Sequence, residues 1–423
     1  MAEQAGSPGG RRKLSQQAIA QTVKLHHDYR NGVMGGRRAS FAFTDLTGMA
    51  FIGADLSDAD FTGAVLNGAN LGGCILDRAV LFGSDLRGAN LIGASLVRAD
   101  LRGALLQGAN LTHANLFDAD LRDGMIAERD RHGNIVAMKY DPGPVEMEGA
   151  QMKGANLSSA KMSGAMAHHT DFTDAIMVGC NLVRANLSNA NLTNANLSGA
   201  DLSGASLKGA ALTNAVLTGA TLTQTDMSGA NTAGMLGDKP AGKPLDELGM
   251  PPEEALRQHG LWVTSGGAQG KLADFSGFDL RQIGSLYKAL LVGVVANKAV
   301  FYGLNMEGAL MQGAKLAGAD LRNARLQGAD LRGSNLAGAR LAYADLRNAD
   351  LGPLVITADR KFPSSLEGAH LRHADLRGAK LTQANLRGAD LQQTRLDGAV
   401  TEGCDFTDAQ GVPRGAPPEK TGG

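Results

Sequence analysis

The 423 residues would fill two or three ordinary domains, but 57 are glycine, only 4% are aromatic and Trp262 is the single tryptophan. That composition argues against wide globular cores and for an array with a narrow interior. The formal net charge is −1, so charge is informative only segment by segment. No run of about 18 apolar residues occurs, and the longest candidate, 289–301, is broken by Asn297 and Lys298. The opening MAEQAGSPGGRRKLSQQ follows its basic group with polar residues where a signal peptide needs apolar ones, so a cytoplasmic protein without a membrane span is expected.

Residues 1–40 read as a basic tail and a capping helix, because SQQAIAQTVKLHHDYRNG is helical in pattern and runs into a Gly-rich joint. From Phe41 a large apolar residue recurs every fifth position, through Leu46, Phe51, Leu56, Phe61 and Leu66 to Leu121 and Ile126. Two positions before each of these centres stands a small residue such as Ala54, Ala59 or Cys74, giving the motif A-(D/N)-L-x-x over 41–126. Residues two apart on extended chain project to one side, so the small residue and the centre face inward and the Asp or Asn between them faces out. A period of five fits neither a flat strand nor a helix, so the chain turns a corner after every unit.

Residues 127–146 depart from the motif, and His132, Gly133 and Asn134 suit the turn of an inserted hairpin or loop. A second run over 147–232 shifts the phase by one residue and includes ANLSNANLTNANLSGADLSGA. Residues 233–271 read as a Gly/Pro-rich linker and a second capping helix, PPEEALRQHGLWV, with proline at its start and acids in its first turn. His26 and Tyr29 before GGRRASF align, with one gap, to His259 and Trp262 before SGGAQGKLADF, which points to a duplicated cap-plus-solenoid module. A helix over the end of a stacked coil covers unpaired backbone groups and blocks end-to-end association. A third run spans 272–411; within it GPLVITADRKFPSS keeps the phase and is expected to be a distorted coil with Pro353 and Pro363 at corners or edges. Residues 412–423 have the composition of a disordered tail.

These units resemble the pentapeptide-repeat family, and the likeness covers about three quarters of the chain. The resemblance implies an all-β solenoid, a right-handed quadrilateral β-helix with four pentapeptides per coil, here with short capping α-helices. Some family members mimic duplex DNA and bind type II topoisomerases, which makes that the alternative function. Magnitude argues against it. Residues 41–126 hold ten acids and five bases, a net of five negative charges over about 22 Å, where B-DNA carries about a dozen.

Little in the sequence suggests chemistry. Cys74, Cys180 and Cys404 lie more than a hundred residues apart at one inward position, which fits buried thiols and neither a disulfide framework nor a zinc site. His168 with His169, and His370 with His373, sit at outward positions without recurring Cys or carboxylate partners, so no metal or cofactor is expected. The many Asp and Asn residues follow the fold's spacing, and the solenoid interior has no room for a substrate. Thr173, Thr193 and Thr213 would form a row if coils contain twenty residues, as ice-binding solenoids do, but sheet stacking alone explains it.

Residues 281–400 hold sixteen bases against ten acids. Arg322, Arg332, Arg347, Arg372, Arg377 and Arg387 follow centres and point outward, yet Asp320, Asp330, Asp345, Asp375 and Asp390 interleave with them. Local ion pairs are therefore expected in place of a basic stripe, and nucleic acid is not an expected partner. The sequence points to a cytoplasmic, bacterial-type, non-enzymatic scaffold that binds an unknown protein partner through its outer faces and inserted loops, and the resemblance permits a homodimer through a terminal coil. The expected contacts are Arg129, Asp130, Arg131, His132, Lys139 and Tyr140 in the first insertion, together with the inter-module segment 234–270.

Overall fold

The computed structural model describes residues 11–124, 127–129, 135–137, 144–357 and 359–412. They form two compact units, Met1–Lys239 and Pro240–Gly423. Both use one local geometry. The carbonyl of each centre accepts the N–H three residues on, as Phe51 does from Ala54 at 3.0 Å. The residue two after the centre is left-handed, with φ of 68° at Gly53 and 63° at Asp58. This is a type II pattern, so glycine recurs there and Asn or Asp are frequent substitutes.

The Asp or Asn before each centre has a structural task. Asp55 Oδ1 accepts the N–H of Ser57 at 3.0 Å and Asn70 Oδ1 that of Gly72 at 3.2 Å. A short side-chain carbonyl thus satisfies a donor that the turn leaves open. Parallel bridges join residues twenty apart, such as Asp55 to Ile75, Asp60 to Val80, Val65 to Asp85 and Asn70 to Asn90, so four five-residue sides make each coil.

Centres and small residues fill both interiors. Phe41, Leu66, Leu202, Leu321 and Leu376 are fully buried, each burial contributing roughly 1.5–3 kcal/mol. The first two coils of unit 1 hold a cluster of Phe41, Phe51 and Phe61, with ring centroids 5.0–6.0 Å apart. Polar residues at the small position return a hydrogen bond to a carbonyl: Ser84 Oγ donates to Leu81 at 2.8 Å, Thr170 Oγ1 to Met147 at 2.7 Å and Thr394 Oγ1 to Leu371 at 2.7 Å. The three cysteines occupy the same position, free and buried.

Unit 1 begins with β1 (Arg12–Lys13) and α1 (Gln16–Arg30). Ser15 Oγ accepts the N–H of Ala18 at 3.2 Å and starts the helix. β1 pairs in parallel with β2 (Thr44–Asp45), so the basic segment adds a strand to the first coil. The regular spacing would stack residue 125 on Leu105, but Glu146 takes that place. The inserted length is one coil plus a single residue, and that residue moves the phase by one. Strands β3 (Ala127–Arg129) and β4 (Ile135–Ala137) pair antiparallel within this insertion.

In unit 2, α2 (Pro252–Thr264) precedes the coil. Asp279 bridges to Val300 in place of its neighbour Ala299, the extra residue being absorbed in a 3₁₀ turn at Arg281–Ile283. Residues 352–364 correct the expectation of a distorted coil. Asn335 bridges to Ser365 in place of position 355, and Asp350 to Lys380 in place of position 370, so ten residues leave the coil. They form the antiparallel hairpin β5 (Leu354–Thr357) and β6 (Arg360–Phe362). Ten is twice five, which is why the phase persists through a segment outside the stack. Pro353 stands two after Leu351, where the coil needs a positive φ that proline's ring forbids, so the chain departs there.

Candidate functional site

The cap residues come together twice in the same way. His26 is fully buried, and its Nδ1 accepts the N–H of Ala39 at 3.1 Å. His259 is also fully buried, and its Nδ1 accepts the N–H of Ala273 at 3.2 Å. Each imidazole stacks on the aromatic ring three residues later, Tyr29 or Trp262, with centroids 6.0 Å apart. Burial lowers both histidine pKa values; at His26 this outweighs the nearby Asp55, which raises it. A glycine lets the returning chain cross each helix: a Cβ on Gly36 would lie 2.2 Å from Tyr29 N, and one on Gly270 2.1 Å from Gln258 O.

The strand edges beneath the caps are satisfied too. Gln16 donates from its amide to Ala50 O at 2.7 Å and accepts from Ala50 N–H at 3.1 Å, imitating a strand. In unit 2, Lys243 donates its N–H to Gly277 O and accepts that of Asp279, both at 2.8 Å. Arg30 of α1 reaches Asp58 at 2.9 Å. These four cap residues, His26, Tyr29, His259 and Trp262, thus serve packing and backbone hydrogen bonding.

Of the first insertion's expected contacts, Arg129 ends β3, while Asp130, Arg131, His132, Lys139 and Tyr140 lie outside the described residues. The β5–β6 hairpin, absent from the sequence expectations, exposes Val355, Ile356 and Phe362 at 53%, 56% and 42%. Leu354 anchors its base: a Cβ on Gly333 would lie 2.5 Å from Leu354 Cβ. The guanidinium of Arg360 lies 5.2 Å over the Phe362 ring. The sequence signal for this hairpin was Pro353 at a left-handed position.

The pentapeptide-repeat family model matches in eight copies, over residues 38–82, 84–123, 145–179, 168–204, 195–231, 314–352 and 364–408, more than half of the chain. This chain belongs to the pentapeptide-repeat family. Among solved structures it is similar to HetL of the cyanobacterium Nostoc sp. strain PCC 7120, a pentapeptide repeat protein involved in heterocyst differentiation regulation. That match is 23% identical, covers 79% of this chain and 88% of HetL, and has a TM-score of 0.18. A trypsin-treated variant of QnrB1, a plasmid-mediated fluoroquinolone resistance protein, is 21% identical over 48% of this chain and 90% of its own, with a TM-score of 0.26. Rfr23 of the cyanobacterium Cyanothece 51142 is 32% identical over 33% and 88%, with a TM-score of 0.17. None of the curated proteins matches significantly.

The outer charges of this pentapeptide-repeat protein pair locally. Asp330 with Arg332, Asp345 with Arg347 and Asp375 with Arg377 each meet at 2.6 Å. In the acidic first run Asp58 meets Arg78 at 2.8 Å, Asp85 meets Arg87 at 2.6 Å and Asp100 meets Arg102 at 2.7 Å. The histidine pairs serve as surface contacts: His168 Nε2 lies 3.2 Å from Glu148, and His373 stacks on Tyr343 at 4.6 Å. Among the described residues no group of three or more metal-ligating side chains forms, and no helix is long and apolar enough to cross a membrane. A pocket of about 120 Å³ beside α2, lined by Leu248, Met250, Ala255, Lys271 and Phe275, is well below the roughly 300–1,000 Å³ of ordinary ligand sites.

Proposed function

We propose that this pentapeptide-repeat protein is a non-enzymatic, cytoplasmic scaffold of bacterial type, with the right-handed coil of its family, that binds a protein partner through hairpins leaving its solenoid. The observation that carries this is the β5–β6 hairpin, which exposes three large apolar side chains from a rigid base. Exposed apolar residues cost solvation unless a partner covers them, and loops on a rigid frame are where specificity is placed. The insertion at 125–145 is the second contact element on this proposal, with Arg129 to Tyr140 as its candidate residues. The topoisomerase-directed DNA-mimic alternative draws less support, because acids of the first run are paired with arginines.

The test replaces residues 353–363 with one glycine, which removes ten residues and keeps the register. Wild type and variant are used to recover partners from nuclease-treated host lysate. A partner recovered by wild type and lost with the hairpin supports the scaffold. Equal recovery by both sinks the hairpin assignment, and recovery of a topoisomerase that duplex DNA displaces favours the alternative.

A further inference from the structure

Every arginine of the unit 2 coil from Arg281 to Arg395, with one exception, has a carboxylate within 4.0 Å. The exception is Arg340. It is half-buried, and among the described residues neither a hydrogen bond nor an ion pair reaches its guanidinium. Burial lowers its pKa, Asp320 opposes this and Arg322 adds to it, so its charge is held at a cost that a bound anion would relieve.

The register explains why it is left alone. Where the order is Asp-Leu-Arg, as in Asp330-Leu331-Arg332, the pair closes within one unit, and Arg325 and Arg395, which like Arg340 stand before a centre, reach Glu307 and Asp375 of the preceding coil. At Arg340-Leu341-Ala342 the cation stands in the acid's place and alanine in the cation's. Arg340 bridges to Asp320 on one side and His370 on the other, at the strand spacing of about 4.8 Å. Asp320 already accepts from Nε and Nη2 of Arg322, at 2.8 and 2.5 Å. The next acid in the column, Asp390, is held by Arg372. Ala342 stands between Arg322 and Arg372 in the neighbouring column, and the next side chain, Tyr343, stacks flat on His373, 4° from parallel.

We propose that this face binds a single phosphate group, with the Arg340 guanidinium as its principal ligand. A planar guanidinium presents paired donors to two oxygens of a phosphate. Asp320 and Asp390 flank the site along the column. Both are paired with arginines, so Arg340 supplies one uncompensated positive charge, suited to one isolated group, whether free phosphate or a phosphorylated side chain, and not to the successive charges of a nucleic-acid backbone. The site is separate from the hairpins and does not rest on the scaffold reading.

Phosphorus NMR of inorganic phosphate and of O-phosphoserine, titrated with the full chain, tests the site. Both signals should broaden with wild type, and the affinity should fall at least about tenfold in Arg340→Gln. His370→Asp, a change at an exposed position, supplies Arg340 with an internal carboxylate and should weaken binding similarly while Arg340 remains. Circular dichroism reports whether each variant is folded. Tighter binding of O-phosphoserine than of inorganic phosphate upholds the site with a phosphorylated side chain as its source, and equal binding upholds it with free phosphate. Wild-type affinity in folded Arg340→Gln, or no broadening by wild type, overturns the proposal. Should Arg340→Gln not fold, undiminished binding by His370→Asp overturns it. Binding of a short duplex oligonucleotide that Arg340→Gln weakens, without binding of either small phosphate, also overturns it.

Discussion

His259 Nδ1 accepts the backbone N–H of Ala273 at 3.2 Å, so this nitrogen carries a lone pair and the ring is neutral with its proton on Nε2. That Nε2 is buried without a hydrogen-bond partner. A second proton at Nδ1 would break the bond to Ala273 and bury a charge.

The cap is therefore acid-sensitive. Burial lowers the folded pKa of His259 below its ordinary 6.5, so between the two values the unfolded chain binds more protons. The histidine's stabilising contribution is complete above about pH 6.5 and declines as the pH falls toward the lowered folded value. Urea unfolding of wild type from about pH 8 to about pH 5 should show this loss. His259→Gln should show a flatter profile; parallel profiles would refute the assignment.

Gly270→Ala should loosen the second cap. The added Cβ would lie 2.1 Å from Gln258 O, at a backbone φ of 75°, and the combined strain is worth about 1–3 kcal/mol. Hydrogen exchange should quicken in α2 and the first coil of unit 2 while central coil amides stay protected. Uniform protection in both proteins would show that the chain crosses the helix elsewhere.

Two chemically identical pairs should differ in worth. Asp320 and Arg322 side chains are 10% and 7% exposed, whereas Arg332, paired with Asp330, is 41% exposed. Asp320→Ala removes the carboxylate from a buried guanidinium and should cost about 3–5 kcal/mol. Asp330→Ala should cost about 0–1 kcal/mol. Denaturant titrations with equal losses would contradict the burial difference.

The hairpin replacement should leave the solenoid intact. Ser364 already fills an inward position, donating to Leu331 O at 3.0 Å, and a glycine in place of residues 353–363 takes the left-handed turn that Pro353 refuses. Its melting curve should match wild type; a lost transition would mean that the hairpin supports the coil.

The three thiols should resist alkylation in the folded protein. Burial raises the pKa of Cys74 and Cys180 and pushes Cys404 up to about 11, which suppresses the reactive thiolate. Cys404, at 9% exposure, should react before fully buried Cys180. Rapid labelling of Cys180 without denaturant would show that the middle coils open.

The repeat was legible because it is local. Leu and Ala positions, the Asp or Asn between them and the corner after each centre follow from five residues of sequence, and His26, Tyr29, His259 and Trp262 stood out by alignment with each other. What stacks on what was not legible, since it depends on chain that leaves the coil. Residues 352–364 kept the five-residue phase while forming a hairpin, and the thirty-residue bridges from Asn335 to Ser365 and from Asp350 to Lys380 reveal it. Arg12–Lys13, part of a basic tail by sequence, became a strand because the first coil's edge needed a partner.

Composition and period by themselves determined a solenoid of turning five-residue units with buried leucines, because burial and turn chemistry act between near neighbours. Tertiary structure alone decided that a coil closes after every fourth unit and that, among the described residues, Arg340 meets no carboxylate. Those outcomes rest on neighbours a full coil or more away along the chain, which hydrogen-bonded stacking brings to within one strand spacing.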